Sequence, residues 1–167
     1  DAPFFEVFKY DFIYGNAQEA LKEPFNIVLT EQLAQKVFGA IDPVGKTIEL
    51  ESGGGWEQLE VTAVVNDRSR KSHVEASYFL SMDSGGVGSY AAQSNEWSGN
   101  NFTSTYVKLA AKTSAASLEA KLPDFLEAHA AEQLAQRRYK KYLGLQPVTG
   151  IHTNTLYENN PTEPVSP

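Results

Sequence analysis

The stretch Phe38-Gly39-Ala40-Ile41-Asp42-Pro43-Val44-Gly45-Lys46-Thr47 restricts the possible architectures more than any other part of this chain. Its end resembles a phosphate-binding loop, which requires G-x-x-x-x-G-K-[ST] after a strand and at the opening of a helix. The first glycine of that pattern falls on Ala40, and Gly39 stands one position too early. The flanks are also reversed. A helical pattern (Leu33, Ala34, Val37, Phe38) comes before the glycines, and a strand-like run, Thr47-Ile48-Glu49-Leu50, comes after them. A phosphate cradle is aimed by the N-terminus of the helix that follows it, and here a strand follows instead. The block therefore predicts a helix C-cap, a proline turn and a hairpin strand. ATP binding is excluded on the same grounds.

Composition narrows the class further. At 167 residues, the chain is one domain or a domain of two small lobes. Net charge is −7, from 21 acidic and 14 basic residues, which argues against nucleic acid as a partner. The single basic cluster, Arg137-Arg138-Tyr139-Lys140-Lys141, suits a helix end, where cations complement the dipole. The absence of cysteine removes disulfides, thiolate metal sites and cysteine nucleophiles together, and is comfortable in an oxidising periplasm. No apolar run approaches the ~20 residues needed to span a bilayer. The opening Asp1-Ala2-Pro3-Phe4-Phe5 already lies inside an aromatic-rich segment, as in a piece cut from a longer protein.

Periodicity predicts the elements. Aromatics fall on every second residue from Phe8 to Tyr14, a strand signature, and Ala17 to Leu21 has the length of a short helix. Phe25 to Leu29 reads as a buried strand, followed by a helix from Glu31 to Phe38 with Thr30 as N-cap and Gly39 at the left-handed C-terminal position. Thr47 to Leu50 and Gln58 to Val65 form a hairpin, in which Leu59, Val61, Ala63 and Val65 make one apolar face against Glu60, Thr62 and Val64. Ala76 to Met82 and Phe102 to Ala110 are further strands, and Asp83 to Asn101 is a Gly/Ser/Asn-rich loop. From Ser114 to Leu143 the pattern is helical, with Pro123 kinking or restarting it. Leu145 to Ile151 is a final strand, and Tyr157 to Pro167 a polar tail.

Catalytic and cofactor chemistry finds little support. His73, His129 and His152 are scattered, and the face Phe125-x-x-x-His129 offers no second ligand, so no metal site is expected. No serine lies in a G-x-S-x-G elbow, and Gly86-Val87-Gly88 is a lone G-x-G without the rest of a dinucleotide fingerprint. The acidic residues are dispersed, and nothing in their spacing favours a glycosidase-like pair. Catalytic, cofactor-binding and metal-binding residues are accordingly expected to be none. Tyr90 and Trp97, set in the polar loop, have two readings: partner-contact anchors, or side chains that hold the loop down on the core.

The succession of pieces carries a resemblance. Phe4-Phe5-Glu6-Val7-Phe8 is followed by the Tyr14-Gly15-Asn16 turn, by Ile27-Val28-Leu29-Thr30-Glu31, and by a helix ending Val37-Phe38-Gly39. Then come Asp42-Pro43-Val44-Gly45-Lys46-Thr47, Val61-Thr62-Ala63-Val64-Val65-Asn66-Asp67, Thr105-Tyr106-Val107-Lys108-Leu109, the helix Leu118 to Leu126, and Pro147-Val148-Thr149-Gly150-Ile151-His152. Over nearly its whole length the chain resembles the MacB-like periplasmic core domain of MacB/FtsX-type ABC transporter permeases. The "F-G … D-P-x-G-K-x" block followed by "V-x-x-V-V-x-D" is the most specific part of the match.

The resemblance implies an α+β fold of mixed sheets and a few packed helices, in two lobes called Porter and Sabre. Residues 1–101 would be the Sabre-like lobe with an N-terminal segment, 102–155 a Porter-like strand–helix–strand, and 156–167 a polar tail. The strand–helix–strand that usually precedes "F-F-E-V-F" has no counterpart in this sequence, so the Porter lobe would be incomplete. The implied role is non-catalytic: an extracytoplasmic domain at the periplasmic face of the bacterial inner membrane, coupling cytoplasmic ATP hydrolysis to movement of periplasmic cargo or partners. Implied partners are the transporter's cytoplasmic ATPase subunit or domain, a second permease copy, and a periplasmic cargo or accessory protein. Two other readings use the same scaffold: a free-standing periplasmic ligand-binding or hydrolytic domain, and a sensor module that gates transport.

Overall fold

The computed structural model describes residues 3–52, 55–66, 73–84, 86–99 and 103–151. The fold is α+β, and contacts divide the chain into two compact units, Asp1–Ser94 and Asn95–Pro167. The expected polar tail, Phe102 and His152 lie outside the described residues.

The first unit is organised by a mixed five-stranded sheet. Its elements are α1 (Phe4–Val7), β1 (Phe12–Tyr14), β2 (Asn26–Thr30), α2 (Glu31–Phe38), β3 (Thr47–Ser52), β4 (Gly55–Val65), β5 (Tyr78–Leu80) and α3 (Val87–Gln93). The order is β1-β4-β2-β5, with β3 also paired to β4. β2 and β4 run parallel, and every other pairing is antiparallel. A parallel pair needs a crossover connection, which α2 supplies. Thr30 caps α2, its hydroxyl accepting from Leu33 N–H at 3.3 Å, and Gly39 ends it at φ 74°.

All five residues of β2 are buried. Such a strand needs a covered face on both sides, and two apolar clusters provide them. Val28 packs with Phe5, Ala20, Leu21, Ala63 and Val65, whereas Ile27 and Leu29 pack with Ala34 of α2, Leu59, Val61 and Val64. Full burial of each such side chain contributes about 1.5–3 kcal/mol.

The register of β2 on β4 explains a departure from the alternation expected for β4. Ile27 pairs with Val61 but Val28 with Ala63, so Thr62 is an extra residue, a β-bulge. A single inserted residue reverses which face each later side chain meets. Leu59 and Val61 therefore share a cluster with Val64, and Ala63 and Val65 face the other side. The bulge is held by the Thr62 hydroxyl, which donates to Ala20 O at 2.6 Å and lies 3.3 Å from Ile27 O.

Several other expectations are corrected. The Phe8–Tyr14 strand contracts to β1, and α1 precedes it, because Phe4, Phe5, Tyr10 and Phe12 gather around Phe79 with ring centroids 5.1–6.2 Å apart. Ala17 to Leu21 is a turn, not a helix: Asn16 Oδ1 takes the N–H groups of Gln18 and Glu19 at 3.0 and 3.1 Å. The loop from Asp83 contains α3, and the strand expected over 76–82 is reduced to β5.

In the second unit, the helical region is divided into α4 (Ala115–Glu119) and α5 (Leu122–Arg137), as a restart at Pro123 requires. Pro123 restarts the chain from the first turn of α5, where its missing N–H costs nothing. Arg138 at φ 58° then ends α5, so Tyr139, Tyr142 and Leu143 lie beyond it. Two expected strands are absent. Residues 103–110 join no ladder, and Leu145 to Ile151 holds a 3-10 turn, Val148–Gly150, because Pro147 fixes φ at −58° and its carbonyl accepts from Gly150 N–H at 2.9 Å.

The bulge is abutted by Gly15 at φ 75°, where a Cβ would collide with Thr62 O and stand 2.7 Å from Ala63 Cβ. Gly15→Ala should therefore cost about 2–4 kcal/mol in thermal or urea unfolding. Gly45→Ala, also at positive φ but with nothing within 4 Å of its Cβ, should cost only the left-handed penalty of about 1–2 kcal/mol. Equal losses would show that close packing against the bulge is not what Gly15 provides.

Candidate functional site

The lookalike phosphate loop becomes a hook on the central strand. Asp42 Oδ1 accepts from Val44 N–H at 2.9 Å, and Pro43 O accepts from Lys46 N–H at 3.0 Å. Pro43 is fully buried. Gly45, at φ 79°, donates its N–H to Val61 O, and Lys46 O accepts from Val61 N–H, both at 2.8 Å. The amides that a phosphate would need are thus spent within the turn (Val44, Lys46) and on the sheet (Gly45), and Lys46 Nζ sits 5.5 Å from the centroid of the Phe38 ring. This segment holds β3 in register and has no anion cradle.

The two candidate contact aromatics belong to different compact units, Tyr90 to the first and Trp97 to the second. Tyr90 lies on α3 and is 55% exposed. Trp97 is 39% exposed and sits in a segment clamped onto α5. Its N–H donates to Gln133 Oε1 at 2.8 Å, Gln133 Nε2 donates to Asn95 O at 2.7 Å, and Lys141 Nζ donates to Trp97 O at 2.9 Å. The indole stacks on His129 (centroids 5.0 Å apart, 29° between planes) and meets Phe125 edge-on at 5.5 Å. The ring thus fastens the segment onto α5, and part of it faces solvent.

Glu96 completes the clamp. Its Oε2 accepts from Arg137 at 2.6 Å, and its Oε1 accepts from Ser98 N–H at 2.9 Å, from Gly99 N–H at 3.1 Å and from the Ser98 hydroxyl. The Ser98 hydroxyl, then its N–H, hold the Glu96 carboxyl below the usual carboxylate range, with further help from Gly99 and Arg137. Phe125, His129, Gln133 and Arg137 recur every fourth residue, so one stripe of α5 carries the clamp, joined by Lys141 beyond its end. The Phe125-x-x-x-His129 spacing was the visible trace of that stripe. Its segment partners, 95–99, are too far away in sequence for any period to reveal.

Residues 1–125 match the model of the MacB-like periplasmic core domain. The chain belongs to that family. Among solved structures, the MacB-like domain is similar to a crystal structure of a domain of a Porphyromonas gingivalis protein described as a permease. The TM-score is 0.60 at 24% identity, covering 80% of this chain and 59% of that one, so this chain spans about three-fifths of that structure. At this identity the likeness is one of fold. No curated protein matches the chain significantly.

Among the described residues of the MacB-like domain, no three His, Asp or Glu side chains gather as metal ligands would. His73 is buried beside Phe8, with ring centroids 5.8 Å apart, and His129 is committed to the Trp97 stack. No helix among the described residues is long and apolar enough to cross a membrane.

Three measurements check the site. Mg-ATP added to the domain should give no calorimetric binding signal, and Asp42→Ala should lower stability by about 0.5–1.5 kcal/mol, the worth of one local hydrogen bond. For the clamp, the sign follows from the lowered Glu96 pKa: its stabilisation is complete above the unfolded-state value and disappears as pH falls through the folded one. The indole N–H resonance of Trp97 should therefore move toward a solvent-exposed position under acid, and Glu96→Gln should remove that acid transition. A transition unchanged in Glu96→Gln would contradict this assignment.

Proposed function

We propose that this domain is the extracytoplasmic part of an ABC transporter permease, non-catalytic, transmitting ATP-driven movement to a periplasmic cargo or accessory protein. The family match over residues 1–125 carries the reading. The structure offers supporting reasons. A sheet whose central strand is buried on both faces and which is hooked at Gly45–Lys46 is a stiff body suited to moving as a unit, because packed interiors deform little. The nearest thing to a nucleotide motif is consumed by that hook, in keeping with ATP hydrolysis on a separate cytoplasmic subunit or domain. We assign the first unit as Sabre-like and the second as Porter-like, at the periplasmic face of the inner membrane, with a second permease copy as the working partner. Tyr90 and Trp97, half-exposed aromatics held by helices, are the assigned contact anchors.

The full-length permease reconstituted with its ATPase tests this reading. A spin label introduced at Tyr90→Cys in each of two copies should report different inter-label distances in nucleotide-free and vanadate-trapped states. In intact cells, the same cysteine should react with a membrane-impermeant maleimide. Identical distance distributions in both states would contradict coupling. Labelling only after permeabilisation would contradict the periplasmic location.

A further inference from the structure

The first unit contains a cleft of about 670 Å³ between the turn that follows β1 and the hairpin β3–β4. Volumes of this order are typical of ligand sites. Phe25 stands at its wall in a left-handed conformation, φ 62°, and the residue is 46% exposed. Non-glycine residues hold this conformation only where neighbours impose it, and they gather at binding sites. Here the neighbours are specific: the buried Ser84 hydroxyl accepts from Phe25 N–H at 2.8 Å, and Phe25 O accepts from Glu60 N–H at 2.9 Å. Strained backbone is thus used to present an aromatic ring to solvent beside the cleft.

Asn26, 8% exposed, lines the same cleft. Its backbone N–H and C=O are both used, by Glu23 O and Ser81 N–H, and its Nδ2 donates to Glu19 O at 3.4 Å. Its Oδ1 accepts from no group among the described residues, so the wall carries a nearly buried acceptor short of a donor. The same cleft is lined by three acidic residues, Glu19, Glu23 and Glu60. Among the described residues, the basic side chain paired with them is Lys22, 3.2 Å from Glu19 and 54% exposed.

The cleft continues onto a sheet face. The cross-strand pairs Thr47 with Glu60, Glu49 with Gln58, and Glu51 with Trp56 put these side chains on one surface, since paired residues share a face. That surface adds two carboxylates and ends at Trp56, 68% exposed. A missing donor, convergent carboxylates and two exposed aromatic rings all select the same kind of visitor: a cation with N–H donors, attracted to aromatic faces.

We propose that the cleft and the adjoining hairpin face dock a lysine- or arginine-bearing segment of a protein partner, with one basic side chain entering the cleft beside Asn26 and Phe25. This surface includes neither Tyr90 nor Trp97 and stands independently of the transporter reading.

The test uses fluorescence anisotropy of a labelled eight-residue peptide alternating glycine and lysine, at about 50 mM salt, where screening is moderate. The peptide should bind, and its glutamate counterpart should not. Glu23→Gln with Glu60→Gln, both exposed and so compatible with folding, should weaken binding about tenfold, or 1.4 kcal/mol. Asp124→Asn with Glu127→Gln, exposed on α5 and making the same charge change, should alter it less than about twofold. Equal weakening by the two double variants would reduce the attraction to net charge and overturn the proposal, as would absence of binding. Spermidine binding as tightly as the peptide would assign the cleft to free polyamines and overturn the peptide assignment. Thermal melts of both double variants matching the parent would establish that lost binding is not lost folding.

Discussion

The extra residue at Thr62 is the constraint on which the first unit depends. β2 is buried along its whole length, so its partner β4 must supply apolar side chains to both of its faces. A regular strand does this only by being apolar at every position, and β4 is not: Glu60 and Thr62 interrupt it. The bulge resolves the conflict. It sends Thr62 out of the alternation, where its hydroxyl satisfies Ala20 O, and allows Ala63, Val64 and Val65 to serve both faces in succession. Without the shift, Val64 would leave the α2 side and Ala63 would have to fill a space that suits the larger valine.

The same strand organises its other edge. β3 takes the first half of β4, the Gly45–Lys46 hook takes Val61, and β1 pairs with only Val64 and Val65. This division explains why an aromatic run with good strand periodicity yields only three residues of strand. The remaining aromatics of that run cover one face of the sheet, where their burial contributes more than further ladder bonds would. Gly15 joins the two arrangements, because only a residue without Cβ can turn the chain directly over the bulge.

Local signals were legible and long-range ones were not. Thr30, the run to Phe38, Gly39 and the Asp42–Thr47 turn all act through neighbours a few residues away, so caps and turn chemistry place them correctly. The failed phosphate loop was readable for the same reason. The bulge is different, since it exists only in the pairing of Val61 and Ala63 with Ile27 and Val28, over thirty residues earlier. The strand expected at 102–110 and the one expected at 145–151 fail similarly: β propensity does not provide a neighbouring edge. At the clamp, half of the information was present as the four-residue period of Phe125, His129, Gln133 and Arg137, and the other half lay in a segment with no period of its own. The cleft left almost no trace, because a phenylalanine in a left-handed conformation has no sequence signature beyond Pro24 before it.

The first unit is a hooked sheet whose central strand is buried on both faces, and the second holds a clamped aromatic segment. That account depends on the bulge, and methyl NOEs in the folded chain examine it most directly. Val61 and Val64 should both show contacts to the cluster holding Ala34 and Leu33 of α2, while Ala63 and Val65 show contacts to Phe5 and Leu21. Contacts from Val61 and Ala63 to one and the same set of side chains would mean an unbroken strand, and would contradict the account.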